Sequence, residues 1–446
     1  MMAQLSDRLL QELPDDAQLE RARYRTDPLA DDTVSRIFGP WPQTPEQHAR
    51  LQQRLAVVTR LFTHWQDNQS LAHWRPEHPD LPPEAIQALA DYVRRGQRLP
   101  EWVNPTQVEH AQALFMEHGV LSCVLLFCAS LPECYVVPDL SSVLQATGQL
   151  TDHTEYRVRA TAAMVFPVMT EGGLLAPEGS ALAQILKVRL IHATVRHLIL
   201  HGHPQEVLAT GSGRVEPGGP TRPDTPMHQA LTQLGWDLHR EGLPCNQEEL
   251  AYTLLTFSYV FLRGLRQLGI RLTPLDEDAY LHAWNVVGHV LGVERKLMAD
   301  SMEEAEELFK RLQTRGRARH IAPDPRPPLA HALIQTMQNV LPGWLLRFFP
   351  RLMTRHLCGP VIAKDLGIGA RVPWLPAAAF KATLWLVQNL TRLWRPQALD
   401  SPLHRLGRDL MAAILLDETR PLQLPSTLRG QVQGVLQQWE TRRTRH

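Results

Sequence analysis

The run Lys187-Val-Arg-Leu-Ile-His-Ala-Thr-Val-Arg196 places one histidine between two arginines on an apolar helix. Residues three and four apart share a helix face, so Arg189 and Arg196 flank His192 on the side that Ile185, Val188 and Val195 would otherwise make apolar. An imidazole can ligate a metal, and two cations can neutralise a dianion; together they suit a haem, whose iron needs an axial ligand and whose propionates need arginines. The plainer alternative is a basic, partly exposed helix with a satisfied histidine. Arg157 and Thr161 sit four apart on the preceding helical run, which continues through Ala162, Ala163, Met164, Val165 and Phe166. A guanidinium and a hydroxyl facing one way from an apolar element could meet a propionate or bound dioxygen, or could simply be a snorkelling arginine and a helix threonine.

Other histidines fit chemistry less well. His282 and His289 are seven apart beside Trp284, where a metal pair would need a spacing of three or four plus a carboxylate, so they read as core histidines. His201-Gly-His203 opens a loop. No His-Glu-x-x-His, Glu-x-x-His pair, Gly-x-Ser-x-Gly or phosphate-binding glycine loop occurs, which removes the usual hydrolase, zinc-protease and nucleotide-enzyme readings. Cys123, Cys128, Cys134, Cys245 and Cys358 form no Cys-x-x-Cys or Cys-x-x-Cys-His, so any haem is expected to be non-covalent and the thiols reduced.

The elements that must position these groups are helical. Periodic segments repeat near 3.6 residues, and alternating runs bounded by tight Asn-Gly or Asp-Gly turns are missing. Helices are predicted over 45–67, 83–95, 105–129, 138–147, 152–171, 179–201, 226–241, 246–268, 275–292, 301–315, 329–340, 374–393, 402–417 and 425–440. The Gly/Pro-rich stretches 202–226 and 315–328 read as loops. With 446 residues, 44% hydrophobic, a large all-α core is affordable, and equal totals of 46 basic and 46 acidic residues give no electrostatic case for nucleic acid. Residues 119–137 are too interrupted for a membrane span, and the acidic N-terminus does not read as an export signal, so a cytoplasmic location is expected. Leu341 to Met353, with aromatics beside arginines, could rest on a membrane or pack as an ordinary helix.

Several motifs in order resemble one family. Leu131-Pro-Glu-Cys-Tyr-Val-Val-Pro138, Val143-Leu-Gln-Ala-Thr-Gly-Gln-Leu150, Arg157-x-x-x-Thr161 and Arg189-x-x-His-x-x-x-Arg196 are similar to the oxygenase domain shared by latex-clearing proteins (rubber oxygenases) and the fungal oxygenase of mycophenolic-acid biosynthesis. Gly242 to Leu250, Thr256-Phe-Ser258, Gly264 to Gly269 and Trp284 to Gly292 continue the likeness. It covers about residues 115 to 300, with a weaker echo at Arg355 to Gly359 and at Leu366-Gly367.

The resemblance implies a multi-helix, partly globin-like core holding one haem b, with His192 on the iron, Arg189 and Arg196 on propionates, and Arg157 and Thr161 on the distal or propionate side. It implies dioxygen-dependent cleavage of an isoprenoid carbon–carbon double bond. The expected layout is an N-terminal helical extension (1–112), the haem oxygenase-like domain (113–314) and a C-terminal helical region (329–446). In the rubber-oxygenase branch a lysine before the motif threonine can be the sixth ligand of a closed state; here that position is Ala160. Because the N-terminus does not read as an export signal, a smaller, apolar, cell-internal isoprenoid or unsaturated lipid is the expected substrate, in an apolar pocket guessed to include Met164, Phe166, Phe257 and Trp284. Alternatives are a non-catalytic haem sensor or carrier, and a haem-free helical lipid-binding protein.

Overall fold

In a computed structural model, the described residues are 13–146, 154–219, 225–341 and 343–393; the helices expected at 402–417 and 425–440 lie outside them. The architecture is all-α. In chain order the helices are α1 (Asp16–Ala22), α2 (Pro28–Phe38), α3 (Pro45–Leu61), α4 (Asn68–His73), α5 (Pro83–Gly96) and α6 (Pro105–His118). Next come α7 (Val120–Leu125), α8 (Leu131–Cys134), α9 (Pro138–Ala146), α10 (Thr154–Met169) and α11 (Ala181–Leu200). Short α12 (Pro204–Thr210), α13 (Met227–Gln233) and α14 (Leu238–Glu241) precede α15 (Gln247–Phe257), α16 (Tyr259–Gln267) and α17 (Pro274–Leu291). The described chain closes with α18 (Met302–Arg317), α19 (Arg326–Val340), α20 (Phe349–Asp365) and α21 (Trp374–Leu393).

Local chemistry explains most helix starts. Thr44 and Thr273 each cap a helix with a side-chain bond to the third backbone N–H, returned by Gln47 and Asp276, and each has proline in the first turn. Asn246 caps α15 through Glu249 N, as its position suggests.

The structure differs from the sequence reading at several points. The helix expected over 105–129 breaks at Gly119, whose φ of 46° is open to glycine, and the chain turns by 94° there. It then runs through a π turn, Leu126–Ser130, into α8. The helix expected over 246–268 divides at Ser258. Within the stretch read as loop, residues 204–210 form α12, because His203 caps it and Pro204 takes the first position. Arg214–Val215 pairs antiparallel with Trp236–Asp237, a two-residue ladder that leaves the fold class unchanged.

Among the described residues no single helix is long and apolar enough to cross a membrane. One connected apolar core runs from Leu19 to Ile368. At its centre α11 packs against α2, α10, α13 and α17. The five cysteines form no disulfide.

The end of α11 carries a buried histidine. His197 lies beside Phe38 and Trp41, with ring centroids 5.5 and 6.1 Å away, and its Nε2 has no partner. Burial, followed by the nearby His203 and His201, pushes its pKa from 6.5 down to about 4. Between these values the unfolded chain binds the extra proton, so stability from the neutral ring is complete above pH 6.5 and falls as pH drops towards 4. Urea titrations of His197→Leu are expected to lack most of this acid-side loss, on the order of 3 kcal/mol in the parent chain.

Candidate functional site

Helix α11 sorts its residues around the axis by 100° per position. Relative to His192, Arg196 and Arg189 stand about 40° and 60° to one side, and Val188 and Val195 about 40° and 60° to the other. The arginine side is closed: Arg189 and Arg196 are 9% and 1% exposed. The valine side is half-open, with Val188, His192 and Val195 half-buried and Ile191 exposed. His192 therefore lies on the seam between a buried cationic side and an open apolar one.

Arg189 and Arg196, expected to meet propionates, each have a carboxylate of α2 as a partner. Arg189 donates from Nε and Nη2 to the two oxygens of Asp27, at 2.5 and 2.7 Å, and from Nη1 to the carbonyl of Val290. Arg196 donates to Asp31 from Nε at 2.8 Å and Nη2 at 2.7 Å, and from Nη1 to the carbonyl of Cys245. Their charge is already matched inside the protein. Burial by itself would lower the Arg189 guanidinium, but the hydrogen bonds and charge of Asp27 outweigh it and the group is held above its ordinary value. Burial raises the Asp31 carboxyl in spite of Arg196.

The two pairs need close approach. Gly292, just past α17, has φ +90°, and a Cβ there would fall 2.8 Å from Asp27 Oδ2 and 3.0 Å from Arg189 Nε. Tyr92 of α5 lies under the Arg189 guanidinium at 6.0 Å and donates its hydroxyl to the carbonyl of Leu186. Thus α2, α5 and the end of α17 all hold α11 through the residues that flank His192.

His192 itself carries unsatisfied chemistry. Its Nδ1 is enclosed and has no hydrogen-bond partner. Burial first, and then Arg196, lower the imidazole from 6.5 to about 4, with Asp27 opposing, so the ring is neutral at pH 7. A neutral imidazole is the protonation state in which histidine ligates a haem iron.

The neighbouring α10 presents Thr161, Ala163 and Met164 half-buried. Arg157 stands one turn before Thr161 on that helix; its side chain lies outside those described. Of the other guessed pocket residues, Phe166 packs against Phe115, and Phe257 stacks on Trp284 at 5.4 Å; all are buried core contacts. No lysine on α11 takes the place that Ala160 leaves vacant, since Lys187 stands about 140° around the axis from His192.

His282 and His289 flank Trp102, accepting from the Asn104 backbone N–H and bonding the Arg98 carbonyl respectively. His201 stacks on Trp41 at 4.3 Å, and His203 approaches Asp32. Among the described residues no group of three or more His, Cys, Asp or Glu could hold a metal ion.

Asp27 and Asp31 are the site residues that sequence reasoning missed. A signal was present: two acids one helical turn apart, beside apolar Ala30, Val34, Ile37 and Phe38, form a face that pairs with arginines two turns apart on another helix. Asp31→Ala strands Arg196 as a buried unpaired cation and is expected to cost about 3–5 kcal/mol in urea unfolding. Combining it with Arg196→Met is expected to recover much of the loss, giving a strongly non-additive cycle.

Comparison with known proteins bears on this arrangement. Residues 110–389 match the family model described as ER-bound oxygenase mpaB/B'/rubber oxygenase, catalytic domain. The chain is 22% identical over 245 residues to the rubber oxygenase of Streptomyces sp. (strain K30), covering 55% of this chain; the match spans about half of that relative, 53%. The solved structure of latex clearing protein LCP in the closed state aligns with a TM-score of 0.63 at 19% identity. That alignment covers 88% of this chain and 91% of the other, a likeness of fold.

Proposed function

Since the chain belongs to the family of the ER-bound oxygenase mpaB/B' and rubber oxygenase, we propose that it is a haem b-dependent oxygenase. In this reading it uses dioxygen to oxidise or cleave a carbon–carbon double bond in an isoprenoid or unsaturated lipid-like substrate. The observation that carries the proposal is His192, a neutral imidazole with an enclosed, unpartnered nitrogen on the family-matching helix α11.

In this reading His192 would hold the haem iron, within a core of partly globin-like arrangement. Bound there, the haem supplies the redox chemistry by which dioxygen is activated. The remaining roles fall to the chain's own groups. His192 needs to lose no proton before ligation, because burial already keeps it neutral well below pH 7. Arg189 and Arg196, tied to Asp27 and Asp31, are positioning residues that fix the rotation of α11 and hence the direction of the imidazole. On α10, the Thr161 hydroxyl is available to donate a hydrogen bond. Arg157, one turn away, supplies a cation for a cofactor carboxylate or a polar group of the substrate. Val188, Ile191 and Val195 offer apolar surface beside His192 that excludes water, and Met164, next to Thr161 on α10, offers apolar surface to an alkene. Ala160 offers no amine where the rubber-oxygenase branch has its lysine, so in this reading the resting iron is five-coordinate, water-bound or ligated by another residue.

The test is the visible spectrum and pyridine haemochrome of the full chain expressed with haem supply. Stoichiometric haem b is expected in the parent chain and loss of it in His192→Ala. Thr161→Ala is expected to keep the haem while lowering alkene-dependent dioxygen uptake roughly 10- to 100-fold. A colourless parent protein that takes up no added haem overturns the proposal and leaves the haem-free lipid-binding alternative.

A further inference from the structure

The C-terminal part of the described fold has its polarity reversed. Along α21 the exposed residues among those described are Trp374, Leu375, Ala378, Ala382, Trp385 and Leu386, at helical spacing, together with polar Thr383 and one charge, Lys381. Trp374 and Trp385 are 79% and 64% exposed. The opposite side of the helix packs inward: Phe380 meets Phe349 at 6.1 Å and His356 at 6.3 Å, and Gln388 donates to the Gln267 carbonyl. A helix on a water-facing protein surface normally turns its polar side outward. Here the outward side is largely apolar as well.

The apolar surface continues into the turn before α20, where Trp344 is 61% exposed and Leu345 and Leu346 are also exposed. Phe349, which follows that turn, links it to α21 through Phe380. Monomeric proteins seldom expose a connected patch of this kind without a partner.

Charge identifies the partner. Residues 341–393 contain seven Lys and Arg against a single acid, Asp365, in a chain whose net charge is zero. Asp365 is itself bound to Arg317 at 2.7 Å. Arg347, Lys364, Arg371 and Lys381 are exposed in this segment. The chain beyond it cannot supply the complementary charge, because residues 394–446 carry eight Arg against five Asp and Glu. A second copy of the patch would repel in the same way. Tryptophans beside lysines and arginines, over an apolar helix face and with no crossing helix among the described residues, match a surface that lies in the headgroup layer of an anionic bilayer.

We propose that α21 and the Trp344–Leu346 turn form a peripheral docking surface for anionic phospholipid membranes. The tryptophans and leucines enter the interface while the arginines and lysines contact lipid phosphates and carboxylates. This inference rests on the surface alone and stands whether or not His192 binds haem.

Flotation of the full-length protein with vesicles tests it, using phosphatidylcholine containing about one third phosphatidylserine against phosphatidylcholine alone. Strong preference for the anionic vesicles is expected, weakening as salt is raised. Lys381→Glu and Arg371→Glu should each weaken binding by roughly fivefold or more. Trp344→Ser combined with Trp374→Ser should weaken it roughly tenfold or more, while circular dichroism is unchanged because both side chains are exposed. Trp374→Phe should retain most binding.

Equal or no binding to both vesicle types overturns the proposal. Two patterns would then identify another occupant. A dimer that the tryptophan variants dissociate would assign the surface to a second copy. Tryptophan fluorescence shielded from iodide in the monomer would assign it to residues 394–446.

Discussion

The fold depends on two buried ion pairs that join α2 to α11. Arg189 and Arg196 are two turns apart on one helix, and Asp27 and Asp31 are one turn apart at the start of the other. The pairs set where α11 lies along its axis and how it is rotated, and that rotation decides that His192 falls at the edge of the open apolar side. A buried pair of this kind adds little net stability compared with well-packed hydrophobic residues, but breaking it is expensive. Its value here is orientation. Gly292 and Tyr92 close around the Arg189 pair, and the carbonyls of Val290 and Cys245 take remaining guanidinium donors, so the arrangement is specified from four sides.

These pairs also redraw the boundary of the functional unit. The family-matching segment begins at residue 110, whereas both carboxylates stand near residue 30. A chain beginning at the family segment would bury two arginines without counter-ions. The first helices are thus part of the structure that orients His192, although sequence reading treats residues 1–112 as an extension.

Much of the helix content was legible because amphipathic spacing and caps act locally. The caps at Thr273 and Asn246, and the run from Ala181 to Leu200, follow directly from residue type. Helix α2 escaped because its buried face includes Asp31 and begins at Asp27. Acids read as solvent-facing until their partners, more than a hundred residues away, are known. The same non-local pairing explains why the carboxylate partners of Arg189 and Arg196 were not foreseen, since spacing can identify a cationic face but not which anion meets it. The break at Ser258 escaped detection, since no glycine or proline marks it. His192 was the most legible site residue. The open apolar side of α11 was legible only in part, because Ile191 and Val195 have the same composition as core residues.

The partners of each pair are separated by 162 and 165 residues along the chain. Closing a loop of that length carries an entropic penalty that grows only with the logarithm of its size, but the contact cannot begin to repay it until α11 exists. During synthesis the N-terminal acids emerge long before the arginines that will take them, and Asp31 stays hydrated until α11 docks. The alignment of His192 is therefore a late event in assembly, coupled to burial of the distant α2 rather than to folding of its own neighbourhood.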